Sequence, residues 1–114
     1  MADVKLVSPD GASSVAGVSL LIDTGADITL LPPMAVERLG VRPLPQHRYE
    51  VMGFDGTTTL APVVVLDMVF LDMTFRGRYL VAQHAQGILG RDVLNHVALL
   101  LDGPRQQWTQ HSPS

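Results

Sequence analysis

The sequence contains no cysteine. That excludes a disulfide framework, a thiol nucleophile and a thiolate-bound zinc, and it leaves the redox compartment open. Charge is also scarce: Asp, Glu, Lys and Arg make up 17% of the 114 residues, against roughly a quarter in ordinary soluble domains. Of the 8 basic residues only Lys5 is lysine, and Arg76 and Arg78 form the one close pair. With a net charge of −3, nothing favours a phosphate backbone, and no nucleic-acid partner is expected. Aromatics are few, at 5%. The longest apolar runs, such as Val63 to Leu66 and Val97 to Leu101, fall far short of the ~20 residues of a membrane helix. The first residues, Met1 to Lys5, carry neither the basic nor the apolar region of a leader, so a cytoplasmic chain without a membrane segment is expected. The histidines (His47, His84, His96 and His111) have no metal-ligand spacing. No Gly-x-Ser-x-Gly elbow or phosphate loop is present. No metal and no cofactor are therefore expected.

What the chain does have is aliphatic mass. Hydrophobic residues reach 46%, mostly Val, Leu, Ile, Ala and Met, which is enough for a core and an apolar face for a partner. The length suits one domain over residues 1–110 with a frayed tail at 111–114, and it is too short for a two-lobed enzyme with an interdomain cleft. Short apolar segments separated by turn residues read as about eight strands. These are Val4–Val7, Val15–Ile22, Ile28–Leu31, Arg48–Met52, Val63–Phe70, Arg78–Ala82, Gly87–Gly90 and Val97–Asp102, with Gln106–Gln110 as a further hairpin arm. Leu71–Phe75 reads as a turn. Pro33–Leu39, with proline in its first turn and Gly40 at its end, reads as a short helix, and Arg91–His96 as another. The class is all-β.

One segment carries a candidate for chemistry. Leu20-Leu21-Ile22-Asp23-Thr24-Gly25-Ala26-Asp27 sets a carboxylate at the end of an apolar strand, where a turn containing glycine allows close approach. Alone, Asp-Thr-Gly is most simply a turn with a capping aspartate. It is followed, however, by a glycine-containing hairpin, Met52-Gly53-Phe54-Asp55-Gly56, and then by Gly87-Ile88-Leu89-Gly90-Arg91-Asp92-Val93-Leu94. In order and spacing, from Val15 to Asp102, this set resembles the retropepsin-like aspartic proteases, the retroviral protease family.

That resemblance implies a closed β-barrel-like fold with a flap hairpin and one short C-terminal helix, working as a homodimer that cleaves an extended peptide or protein. The chain supplies one Asp-Thr-Gly turn, so each active site needs two chains, and a two-fold dimer would place Asp23 of each beside the other. Thr24 corresponds to the threonine that bonds across the dyad, and Gly25 to the glycine whose carbonyl meets substrate. Asp27 corresponds to the aspartate that holds substrate main chain and forms a bidentate pair with an arginine, here Arg91, in a structural role. Met52, Gly53, Phe54, Asp55 and Gly56 correspond to the flap, where Phe54 departs from the glycine-rich tips of retroviral members. Ala26, Ile28, Leu30 and Ile88, together with Leu21, fall where the family lines side-chain pockets, although each would serve equally as core. Asp92 reads as a helix cap.

The C-terminal segment departs from the viral pattern. Val97–Leu101, the Asp102-Gly103-Pro104 turn and the following arm read as a full hairpin. This layout is similar to cellular and bacterial stand-alone members, and it offers C-terminal hairpins as an alternative to interleaved termini in the dimer sheet. The competing functional reading is a retropepsin-fold dimerisation or peptide-binding module that holds a strand with little or no cleavage.

Overall fold

The computed structural model describes residues 1–45, 47–52, 56, 58–97, 99–102 and 107–110. Gln46, most of the hairpin tip (Gly53, Phe54, Asp55 and Thr57) and the expected tail at 111–114 lie outside the described residues.

The chain runs β1 (Ala2–Val7), β2 (Ser14–Ile22), β3 (Leu30–Leu31), α1 (Pro33–Leu39), β4 (Arg48–Met52), β5 (Thr58–Phe70), β6 (Met73–Val81), β7 (Gly87–Leu89), α2 (Arg91–Leu94), β8 (Leu99–Asp102) and β9 (Gln107–Gln110). Seven strands form one sheet in the order β1-β2-β7-β3-β6-β5-β4. β1 also pairs with β5 through Lys5–Val69, Leu6–Met68 and Val7–Asp67, which closes the sheet into a barrel and leaves β4 as an outer arm. Closure explains the aliphatic composition: side chains alternate in and out along each strand, and the inward set fills the interior with Leu6, Leu20, Leu66, Met68, Phe70 and Leu89, each at most 1% exposed. Ala35, Val36 and Leu39 of α1 join the same core. The helix ends at Gly40, whose left-handed conformation (φ 79°) lets its N–H reach back to Val36 and Glu37 carbonyls.

Four elements differ most from the sequence expectation. β5 is one long strand that starts at Thr58 and runs through Pro62. Proline is tolerated there because the ladder changes partner at that point: Pro62 is the last residue opposite β4, and Val63 is the first opposite β6. β6 begins at Met73, well before the expected Arg78, because Leu71 and Asp72 alone form the turn. Both adopt positive φ, 53° and 61°, as a two-residue hairpin of the primed type requires. Neither is the Asn or Gly that normally announces such a turn. β3 is confined to Leu30–Leu31 and α2 to Arg91–Leu94, so each is shorter than its sequence pattern suggested. The C-terminal helix implied by the family resemblance is therefore accompanied by α1, as the Pro33–Gly40 pattern indicated. No helix among the described residues is long and apolar enough to cross a membrane.

Candidate active site

β2 and β7 lie side by side and parallel, with Leu20, Leu21 and Ile22 opposite Gly87, Ile88 and Leu89. Where this ladder ends, the Asp23 N–H donates to the Leu89 carbonyl at 3.1 Å, and the chain leaves the sheet in a turn. Gly25 N–H donates to Asp23 Oδ1 at 2.9 Å, and Ala26 N–H to the Asp23 carbonyl at 3.2 Å. The first of these bonds holds the aspartate side chain against its own turn, half-exposed, on the wall of a groove.

The groove has a volume of about 420 Å³, within the usual range for ligand sites. Of the residues singled out in the sequence, Asp23, Gly25, Ala26, Asp27, Ile28, Leu30 and Ile88 line it. Thr24 is exposed on the same turn, outside the wall, and Leu21, 46% exposed, also lies off the groove. Tyr49, Glu50 and Val51 of β4 and Leu80 of β6 complete the lining. Sequence reasoning missed all four: β4 reads only as one arm of a hairpin whose position over the Asp23 turn depends on the β4–β5 register, and Leu80 reads only as part of a return strand. Ala61, Val63 and Leu80 form a small second core beneath this wall, with Leu30, Leu44 and Val51 packed against it. Ile28 (40% exposed) and Tyr49 (48%) keep apolar surface open. Of the expected flap, Met52 closes β4 opposite Thr58, and Gly56 adopts φ 83°. Gly53, Phe54 and Asp55 fall outside the described residues.

Helix α2 secures the back of the turn. Arg91 N–H donates to the Ala26 carbonyl at 2.8 Å, and Asp92 N–H to the Asp27 carbonyl at 3.2 Å. The helix cannot approach this closely with a side chain at residue 90, since a Cβ on Gly90 would lie 2.7 Å from the Ile28 carbonyl carbon and 2.8 Å from its oxygen. Gly87 is equally constrained, with Leu30 O 2.7 Å from its would-be Cβ. The Gly-Ile-Leu-Gly run is thus spaced to let β7 slip between β2 and β3. The Arg91 guanidinium contacts Asp27 Oδ1. The expected pair is present, but through one nitrogen and one oxygen instead of a bidentate fork, and Asp27 is 79% exposed. Asp92 does not hold the cap position expected of it: Gly90 does, and Asp92 lies in the first turn of α2, where its carboxylate serves Thr29 instead. Its Oδ1 accepts from the Thr29 hydroxyl (2.6 Å) and Val93 N–H (2.9 Å), and its Oδ2 accepts from Thr29 N–H (3.1 Å). Thr29 in turn accepts from Gly90 N–H at 3.0 Å.

The architecture and the motif order agree with comparisons to known proteins. A family model described as aspartyl protease matches residues 10–93. The chain belongs to this family. A solved structure of EIAV protease in complex with the inhibitor HBY-793 is 25% identical over 82% of this chain and 85% of that one, with a TM-score of 0.55. The all-β closed barrel is therefore a retropepsin-like aspartic protease fold. A search of curated proteins returns no match.

Proposed function

We propose that the chain is one half of an aspartic endopeptidase, and that two copies related by a two-fold axis bring their Asp23 carboxyls together. The observation that carries this reading is the position of Asp23: held by its turn on the wall of a largely apolar groove, in a chain with a single Asp-Thr-Gly turn.

The chemistry follows from the pairing. Two carboxyls in contact do not both ionise, so they share one proton, and their titration belongs to the pair. The ionised partner draws a proton from a water, and the water attacks the scissile carbonyl. The protonated partner polarises that carbonyl and then protonates the leaving amine. Thr24, exposed on the turn, bonds to the partner chain. Gly25 and Asp27, both on the groove wall, meet substrate main chain, and Arg91 holds Asp27 in place. The hairpin from Met52 to Gly56 closes over an extended peptide and excludes water. Ala26, Ile28, Leu30 and Ile88, with Tyr49 and Leu80, favour apolar residues beside the scissile bond.

The sheet pattern supports C-terminal hairpins as the seam between copies. β1 pairs with β2 from Ala2 to Val7, with an irregularity at Lys5, and with β5 from Lys5 to Val7, so only the second edge of Ala2–Val4 is left to interleave. β8 and β9 pair only with each other among the described residues. A lone two-stranded hairpin is marginal in water, and Leu99-Leu100-Leu101 makes this one strongly apolar. Pairing with a second copy removes that liability. The test is cleavage of a diverse peptide library by the native chain and by Asp23→Asn, each followed by mass determination across a concentration series. Loss of cleavage with the dimer retained supports the reading. Undiminished cleavage by Asp23→Asn overturns it. A folded native dimer that binds a statine-type inhibitor and cuts nothing favours the binding-module reading instead.

A further inference from the structure

β6 is paired on both edges only at its end. One edge follows β5 throughout, from Phe70–Met73 to Val63–Leu80, but the other meets β3 only at Leu80 and Val81. From Met73 to Tyr79 this second edge has no strand partner among the described residues. It faces α2 across a gap of about 390 Å³, bordered by Asp92, Val93 and His96. Six residues of open edge, Met73 to Arg78, span about 20 Å at ordinary strand rise, a length that would accommodate a short added strand.

Gly77 lies in the middle of this edge. A Cβ built there meets nothing within 4 Å, and its φ is outside the left-handed range. A turn or a crowded core therefore does not account for the glycine. Glycine within a strand often marks the close approach of another backbone. The side chains beside the gap divide by face. Arg76 and Arg78 are exposed on one face, while on the other Phe75 and Gly77 are half-buried and Tyr79 is buried, and Phe75 stacks at a tilt on His96 with ring centres 6.0 Å apart. Arg76 is engaged by Asp67, and Arg78 makes no ion pair among the described residues. Asp92, the one carboxylate bordering the gap, is occupied by Thr29 and by Val93 N–H.

We propose that this edge of β6 is a docking site, separate from the Asp23 groove, for an extended segment of a partner protein in which acidic and apolar residues alternate. The segment adds a strand beside Met73–Arg78. Its acidic side chains lie along Arg78 and Arg76, and its apolar ones fill the gap toward Phe75 and His96.

The probe is the labelled peptide acetyl-Glu-Val-Glu-Val-Glu-Val-amide, titrated onto the full Asp23→Asn chain so that it is not cut. Saturable binding is expected. It should weaken on the order of tenfold in Arg78→Glu through charge reversal, and at least as much in Gly77→Val, whose side chain occupies the open space over the edge. Alternate N-methylation of the peptide, which removes its ladder donors, and Glu→Lys replacement should each abolish it. Absence of binding, equal binding by the N-methylated peptide, or unchanged binding by both variants would overturn the proposal. A fall in oligomer mass caused by Gly77→Val would also overturn it, by assigning the edge to self-pairing. If Gly77→Val does not fold, the exposed Arg78→Glu decides alone. Peptidase activity of the native chain is read separately, so failure here leaves the catalytic reading untouched.

Discussion

Thr29 and Asp92 are joined by two hydrogen bonds across 63 positions of sequence, hydroxyl to Oδ1 at 2.6 Å and backbone N–H to Oδ2 at 3.1 Å. Thr29 is wholly buried, so its polar groups have no water to fall back on. Because the same helix also grips the Ala26 and Asp27 carbonyls, this pair ties the candidate catalytic turn to α2. Truncation by Asp92→Ala strands a buried hydroxyl and a buried N–H, which should cost about 2–4 kcal/mol. Asp92→Asn keeps an acceptor for one of them and should cost about half as much. Urea midpoints, measured in the Asp23→Asn background to prevent self-cleavage, will show whether the two variants fall in that order.

The Asp23 turn, α1 and most strands were legible from sequence because their signals are local: an aspartate after a Leu-Leu-Ile run, proline before and glycine after a helix, aliphatic stretches between turns. The role of Thr29 was not, since a threonine two residues beyond Asp27 has no signature, and its partner is specified only by the β7–α2 approach that Gly90 permits. The β4 wall was hidden for a related reason. Tyr49 and Val51 alternate like any half-buried strand, and only the register Tyr49–Ala61 and Val51–Thr59 sets that strand over the groove. The start of β6 was missed because Leu71-Asp72 adopts a primed turn without the residues that usually favour one.

Gly90 and Gly77 should respond oppositely to alanine. A Cβ at residue 90 meets the Ile28 backbone within 2.8 Å. Backbone cannot move aside as the end of a side chain can, so Gly90→Ala should lose about 3 kcal/mol and loosen the turn that holds Asp23. At residue 77 a Cβ enters open space, and Gly77→Ala should be neutral or gain up to about 1 kcal/mol from the stiffer unfolded chain. Thermal unfolding of the two variants side by side checks this; equal losses would mean that close approach is not what requires Gly90.

Acid should remove one identifiable contribution to stability. Asp67 and Arg76 face each other across β5 and β6, with Arg76 Nε 2.9 Å from Oδ1 and Nη2 3.1 Å from Oδ2. These hydrogen bonds, aided by the guanidinium charge, hold the Asp67 carboxyl below the ordinary aspartate range even though partial burial acts in the other direction. A carboxyl depressed in the folded state contributes stability above the unfolded value of about 3.9, and loses it as pH falls through the folded value. Asp67→Asn should therefore be less stable than the parent near neutrality, by a modest amount because Arg76 is largely exposed. The two should converge as the Asp67 carboxyl becomes protonated in the folded state, below the unfolded value. Melting temperatures of both chains across that range test the sign, and a gap that widens on acidification would refute it.

The proposed stoichiometry has a sharper consequence than concentration dependence alone. If each site is built from the Asp23 of two chains, a mixed dimer of native and Asp23→Asn chains lacks one carboxyl and cannot share a proton across the dyad. Mixing equal amounts, with exchange complete and total chain fixed, should leave about a quarter of the fully native activity, the fraction of dimers in which both chains are native. A chain that works alone would retain about half, because each native copy would keep its own site. Chelators should leave both values unchanged. Weakening the proposed seam by Leu100→Asp should lower activity at dilute chain and recover it at high concentration, as a loss of pairing and not of chemistry demands. Activity that falls in proportion to the native fraction, at every concentration, would mean that one Asp23 is enough and that the dyad is not the catalyst.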